Sequence, residues 1–190
     1  LDNYRANAET GVHQRFDIAE NEPLLVFHGT FSYPPNRQAL QIFAEILLPG
    51  LDRAGLRCHV LAVGREPPPA SPHERIHFTG SVTDVAPWLK AADMSVIPLT
   101  DGGGTRMKIA DCFAAGLPVI STSKGIEGIP VEPGKQALVI DDWNKMIEAI
   151  VDLWQHPDRR TELAEAAHAM AADLDWSAVG RRYKSVYSNV

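Results

Sequence analysis

Three consecutive glycines, Gly102, Gly103 and Gly104, run into Thr105, Arg106, Met107 and Lys108. Glycine lets backbone amides approach a ligand because no Cβ stands in the way. The pattern predicts a helix opening at Thr105, with Arg106 and Lys108 in its first turn. Free amides and the dipole of a helix start favour negative charge. Together these residues can hold an anion such as a diphosphate. The plain alternative is a flexible turn with a surface Arg and Lys. Placement directly after a hydrophobic strand, Met94 to Leu99, favours the anion cradle. The string is not a P-loop, because Gly-Lys-Ser/Thr is absent. Nor is it the dinucleotide fingerprint, because Met107 stands at the third glycine position.

Other residues fall within reach of such a cradle. Asp111 is three residues beyond Lys108 and shares its helix face. It is either half of an exposed ion pair, worth little, or a carboxylate able to accept two hydrogen bonds from a ribose diol. The loop Gly29-Thr30-Phe31-Ser32-Tyr33-Pro34-Pro35-Asn36 follows the first strand, where loops of open α/β sheets commonly meet phosphates. Asn36 is equally well placed to cap a helix. Gly80-Ser81-Val82 follows the third strand and reads either as a plain turn or as a set of backbone donors and acceptors. The histidines lack metal-ligand spacing: His73 and His77 are four apart, but His77 falls in a strand, so no metal site is expected. No nucleophile elbow, H-E-x-x-H or C-x-x-C is present. Trp143 and Trp154 fit helix-to-core packing.

These loops need a scaffold. Residues 1–22 are polar and without clear periodicity and read as a lead-in or linker, leaving 23–190 as one domain. Apolar runs predict strands at Leu24–His28, Cys58–Val63, Arg75–Thr79, Met94–Leu99, Pro118–Ser121 and Ala137–Ile140. Helical spacing covers Asn36 to Leu48, ended by Pro49-Gly50. It recurs after a Thr83 or Asp84 cap through Ala92, over Thr105–Ala115, and at about 143–155, 158–172 and 177–188. Strands alternating with helices imply an α/β fold: a doubly wound parallel sheet, Rossmann-like, of about six strands with helices on both faces. Ligands in such sheets bind outside the carboxyl ends of the strands, near the switch in strand order.

The chain of 190 residues carries a net charge of −6. That argues against a nucleic-acid or membrane-surface binder, which needs a positive field, while leaving room for a local basic pocket. Cys58 and Cys112 sit in apolar contexts and read as buried thiols of a reduced, cytoplasmic protein. No apolar run approaches a membrane span. The chain opens on Leu1, which suggests a fragment.

The run from Gly102 to Thr122 (GGGTRMKIADCFAAGLPVIST) resembles the pattern GGGTRLKILEAMAAGKPVVST of the C-terminal, donor-binding domain of GT-B glycosyltransferases of family 4. Phe27 to Asn36 (FHGTFSYPPN) is similar to the branch of that family with G-x-x-x-Y-x-P-N after its first strand. Ile76 to Val82 resembles V-x-F-x-G-x-V. Glu127-Gly128 matches the E-G after the fifth strand, and Trp176 with the helix to Tyr187 resembles the closing segment. The similarity spans about residues 10–190.

The resemblance implies one half of a GT-B two-domain fold. A nucleotide-diphosphate sugar is held here, and an acceptor is held by an N-terminal domain of the same protein, expected upstream. It implies retaining transfer of a hexosyl-type group without metal or other cofactor. Arg106 and Lys108 are then the catalytic cations, stabilising the departing diphosphate. Donor-binding positions are Gly29, Thr30, Asn36, Ser81, Val82, Gly102, Gly103, Gly104, Thr105, Arg106, Lys108 and Asp111. Among these, Ser81 and Val82 face the base and Asp111 the ribose. Membrane association, if any, would come from the missing part, and the chain alone is expected to be inactive. Gly103 stands where the family's first Glu of E-x7-E belongs, as is common in this branch, and Asp111 replaces the second. The Arg and Lys-Gly pair often found after the first strand is absent, and His13 stands where Gly-Val-Asp is usual. Two rival readings remain: a nucleotide-sugar-binding module without catalysis, suggested by those replacements, and a GT-B sugar-nucleotide epimerase.

Overall fold

The computed structural model describes residue 4 and residues 7–174. The expected helix at 177–188, with Trp176 and Tyr187, lies outside the described residues. Six parallel strands form one sheet: β1 (Leu24–His28), β2 (His59–Val63), β3 (Ile76–Gly80), β4 (Met94–Ile97), β5 (Val119–Ser121) and β6 (Leu138–Val139). Their order is β3-β2-β1-β4-β5-β6. The chain therefore winds outward one way from β1 to β3, crosses back beside β1, and winds the other way. The switch falls between β1 and β4.

Burial explains which apolar runs became which strands. Every residue of β1, β2 and β4 is buried, as expected for inner strands of a parallel sheet covered on both faces. At the edges only Ile76 of β3 is fully buried, and both residues of β6 are half-exposed. The helices that cover the sheet are α1 (Val12–Arg15), α2 (Pro34–Ile42), α3 (Leu48–Arg53), α4 (Ala86–Lys90), α5 (Met107–Ala114), α6 (Trp143–Gln155) and α7 (Pro157–Leu174). The sequence-predicted doubly wound α/β fold is the fold observed.

Four local expectations are corrected. Pro49-Gly50 does not end a helix. The chain passes from α2 through a π-helical turn, Phe43–Leu47, into α3 with Pro49 in its first turn. A proline ring collides with the carbonyl four residues back in a regular helix, and a wider turn ahead of it relieves that collision. Gly50 is there for packing: a Cβ on it would run into Ile147 of α6. Asn36 is not a cap either. Tyr33 holds the N-cap position of α2, with Pro34 and Pro35 next, where missing N–H groups cost nothing. Helix α5 opens at Met107, and Arg106 caps it with a non-helical backbone. At α4 the expected Thr83 or Asp84 cap is also displaced: Val85 holds the N-cap position, Asp84 accepts from the Ala86 amide at 3.0 Å, and the helix ends at Lys90. The Asp142 carboxylate caps α6 at the Lys145 amide, 2.9 Å away.

The stretch before β1 is packed down where it is described. Val12 and Ile18 are buried in the main core, and the Glu9 amide donates to the Pro87 carbonyl at 2.8 Å. Removing most of the Ile18 side chain should therefore cost stability like any core truncation, about 2 kcal/mol or more. Urea unfolding of Ile18→Ala checks this; an unchanged midpoint would show the segment to be a passive linker.

Candidate functional site

At the carboxyl ends of β1 and β4 a cavity of about 560 Å³ opens, lined by His28, Gly29, Asn36, Arg65, Lys108 and Asp111 among others. Its position at the switch in strand order is the one that α/β sheets use for ligands. Thr30, Gly103, Thr105 and Arg106 also line it. Tyr33 and Met107, the two large apolar side chains most exposed among the described residues, stand at the same cavity.

Lys108 is the pivot of this end of the sheet. It reaches from the first turn of α5 to the end of β1, where its ammonium donates to the His28 carbonyl and to Asn36 Oδ1 at 3.4 Å. The same nitrogen lies 4.6 Å from the centre of the Phe27 ring, close enough for cation–π attraction. Burial lowers its pKa to about 8. Asn36 is held in turn by its amide donating to the Thr30 carbonyl at 2.8 Å. Gly29 makes the crossing possible. A Cβ there would come within 2.7 Å of Asn36 Nδ2 and 2.9 Å of Lys108 Nζ, and its φ of 150° strains any side chain.

Asp111, one turn further along α5, has both oxygens engaged. Oδ1 accepts from the Tyr4 hydroxyl at 2.6 Å and Oδ2 from His28 Nε2 at 3.1 Å. Burial pushes the carboxyl pKa up, but the His28 and Tyr4 hydrogen bonds and the Lys108 charge outweigh it and hold it below its usual value. Burial lowers the His28 pKa as well, which leaves the ring neutral near pH 7. The pair is thus an imidazole donating to an ionised carboxylate.

The glycine loop supplies backbone. Among the described residues, the amides of Gly103, Gly104 and Thr105 donate to nothing in the protein. Arg106 is buried. Its guanidinium ties the loop by donating to the Gly102 carbonyl at 2.9 Å and to Glu127 Oε2 at 3.2 Å. The same Glu127 oxygen accepts from Lys124 at 2.8 Å. In this arrangement Arg106 braces the loop, while Lys108 and the bare amides are what the cavity presents to an anion. Gly103 is open on its side-chain face, with nothing within 4 Å of where a Cβ would sit.

The structure thus brings Gly29, Thr30, Asn36, Gly103, Thr105, Arg106, Lys108 and Asp111 to one cavity. Gly102 and Gly104 belong to the loop beside it. Ser81 and Val82 do not line it; they follow β3, two strands away from β1. Six lining residues were missed from sequence: Tyr33, Leu99, Met107 and Gly125, and the two that bring titratable or charged groups, His28 and Arg65. His28 ends an otherwise apolar strand, and a polar residue immediately before Gly29 was the available signal. Arg65 follows β2, and its guanidinium lies 3.5 Å from Thr30 Oγ1. No spacing along the chain announces that contact. No group of three or more His, Cys, Asp or Glu among the described residues is arranged to hold a metal; His77 instead pairs with His59, ring nitrogen to ring nitrogen, at 2.8 Å.

A family model described as "Glycosyl transferases group 1" matches residues 22–156. The chain belongs to this family. The match covers every residue that lines the cavity; Tyr4, which hydrogen-bonds Asp111 from outside the lining, lies before it. No curated protein matches the chain significantly. Solved structures do. The Anabaena protein Alr3699/HepE in complex with UDP matches at a TM-score of 0.77 and 16% identity, over 100% of this chain and 55% of that one. Sucrose-phosphate synthase from Thermosynechococcus elongatus matches at 0.67 and 19% identity, over 97% of this chain and 50% of that one. WaaG, a glycosyltransferase involved in lipopolysaccharide biosynthesis, matches at 0.67 and 20% identity, over 92% and 49%. The chain spans about half the length of these structures, and its fold is the Rossmann-like half of the GT-B glycosyltransferases.

Two glycines of the site should respond oppositely to substitution. Gly29→Ala forces a side chain into the Lys108–Asn36 crossing and should cost about 1–3 kcal/mol. Gly103→Glu meets open space and should stay within about 0.5 kcal/mol of the parent. Guanidinium unfolding of both variants reads the difference; equal losses would contradict the geometry.

Proposed function

We propose that this chain is the donor-binding half of a retaining, metal-independent glycosyltransferase. It holds a nucleoside-diphosphate sugar while an N-terminal domain of the same protein presents the acceptor. The observation that carries this reading is the juxtaposition around one cavity at the strand switch of Lys108, Arg65 and the loop residues Gly103 and Thr105, whose amides have no acceptor among the described residues. As the bond from the sugar to its diphosphate breaks, negative charge grows on the departing phosphate oxygens. Preorganised cations and amides stabilise that charge without reorganising. Arg106 keeps the amides in place and adds to the positive field. The cations are numerous enough to take the part that a metal ion plays at other diphosphates, which is why we place none here. The Anabaena protein, solved with UDP and with UDP-glucose, supports a nucleotide sugar as the ligand and a hexosyl group as its cargo.

In this reading the diphosphate lies between Lys108 and residues 102–105, with Gly29, Thr30 and Asn36 as its floor. The ribose lies toward Asp111. The base extends over the ends of β2 and β3 toward Ser81 and Val82. A cytoplasmic location belongs to the same proposal and is supported by the buried, unpaired thiols Cys58 and Cys112. Among the described residues no helix is long and apolar enough to cross a membrane. A second reading, donor binding without transfer, draws on the bare Gly103. Donor-panel assays on the chain joined to its acceptor domain separate the two, and the chain alone should transfer nothing.

Calorimetry with UDP, GDP and ADP in the presence of EDTA tests the proposal. One of them should bind, and Lys108→Ala should weaken it by about ten- to a hundredfold, the worth of a charged hydrogen bond. Arg65→Ala should do less, because its guanidinium is solvated. Lys108 is cationic below its pKa of about 8. Affinity should therefore hold from pH 6 to 7.5 and fall as pH rises through 8 to 9, a slope that Lys108→Arg should flatten. A folded chain that binds none of the three would end this reading.

A further inference from the structure

Exposed apolar surface is gathered at one place on this molecule. Tyr33 is 44% and Met107 41% exposed, the two large apolar side chains most open among the described residues, and both line the cavity. Large apolar surface left open beside a polar site marks a place where something binds. Tyr33 serves α2 through its backbone: its carbonyl accepts from the Asn36 amide at 3.0 Å and the Arg37 amide at 3.2 Å. Its side chain makes no hydrogen bond and stacks on no other ring among the described residues. The phenol rests on the glycine loop, since a Cβ on Gly102 would come within 3.1 Å of Tyr33 Oη and of Pro35 Cγ. Gly102, Gly103 and Gly104 offer amides and no side chains, so the apolar surface at that end is that of Tyr33 and Met107. Helix α5 orders the cavity: Asp111 lies one turn past Lys108, while Met107 and the glycine loop lie before it.

We propose that Tyr33 recognises the glycosyl group of the donor by stacking on it. The proposal rests on the nucleotide-sugar reading of the cavity and adds a subsite to it. In a nucleotide sugar the ribose and the glycosyl ring hang from opposite ends of the diphosphate. With the ribose toward Asp111 and the diphosphate at Lys108, the glycosyl ring falls at the end held by Tyr33 and Met107. A pyranose carries its hydroxyls around the rim and C–H bonds on its faces. Those hydrogens are apolar and faintly positive, which suits the negative face of an aromatic ring. The Met107 thioether, flexible and polarizable, fills in beside the sugar without demanding one ring shape.

The test is calorimetry on the parent chain, Tyr33→Ala and Tyr33→Phe, with UDP, GDP and ADP against UDP-glucose, UDP-galactose, GDP-mannose and ADP-glucose. The readout is the affinity of the tightest nucleotide sugar relative to that of its own diphosphate. Tyr33→Ala should lower this ratio about three- to tenfold, the worth of one aromatic contact, and should leave binding of the bare diphosphate nearly as it was. Tyr33→Phe keeps the ring and should keep the ratio. Thermal melting confirms that each variant is folded; if Tyr33→Ala is not, Tyr33→Leu, with apolar bulk and no ring, carries the same expectation. An unchanged ratio in the variant without the ring overturns the proposal and leaves the exposed phenol to a protein neighbour. A ratio lost in Tyr33→Phe as well overturns it by placing the contact on the hydroxyl. A parent that binds a diphosphate but none of the nucleotide sugars overturns it too. Those outcomes leave Lys108-dependent diphosphate binding intact. A parent that binds none of the seven compounds removes the donor-site reading, and this proposal with it.

Discussion

An ammonium taken out of water has to be met by acceptors, and at the end of β1 that requirement organises everything near it. Lys108 leaves α5, crosses the first strand and finds the His28 carbonyl, the Asn36 side chain and the Phe27 ring. Desolvating a charge costs several kcal/mol unless such partners are supplied. The neighbours follow from it. Gly29 is bare because the ammonium passes over it. Asn36 is a bridge rather than a cap because its carbonyl oxygen turns to the lysine. Phe31 is buried under the loop between them and meets Phe27 and Phe78 with ring centres 6.2 and 5.3 Å away. The depressed pKa of Lys108 is the residual cost of this placement: three partners do not replace bulk water fully.

The two helix-borne charges of the site play different parts. Arg106 is spent internally, between a loop carbonyl and Glu127, and its value is rigidity: the bare amides keep their direction because the loop cannot sag. Lys108 faces the cavity with less than its full complement of hydrogen bonds. Asp111 belongs to the first kind. Its charge is stabilised by a tyrosine hydroxyl and an imidazole. A polar network of this kind orients its members because each has few alternatives.

The sequence made the scaffold readable because its signals were local. LLVFH between Pro23 and Gly29 has only one comfortable conformation in a parallel sheet. The glycine run, the cations and Asn36 were also visible, since each is a residue type with a narrow set of uses. What escaped depends on distance across the fold. Pro49-Gly50 is the usual signature of a helix end, yet α6 packing on Gly50 and the π turn ahead of Pro49 carry the helix through. Arg106 looked like a first-turn residue because a sequence does not show that Glu127, from beyond β5, would claim its side chain. Arg65 and His28 joined the cavity only because β1 and β2 are neighbours and α5 lies over β1. The pairing of Tyr4 with Asp111, 107 positions apart, has no signature in either residue's surroundings.

The end of β1 and the residue after it contribute to the site in three ways: the backbone carbonyl and the imidazole of His28, and the missing side chain of Gly29. The strand is paired on both sides, Leu24 to His28 against His59 to Val63 of β2 and Leu25 and Val26 against Met94 and Ser95 of β4. A slip of one residue in either ladder would turn the imidazole to the opposite face and carry the glycine out from under the lysine. The cavity therefore has no partly assembled form. It comes into being with the closing of the central ladder, and a chain whose first strand is out of register lacks the lysine's seat, the aspartate's partner and the loop's floor at once.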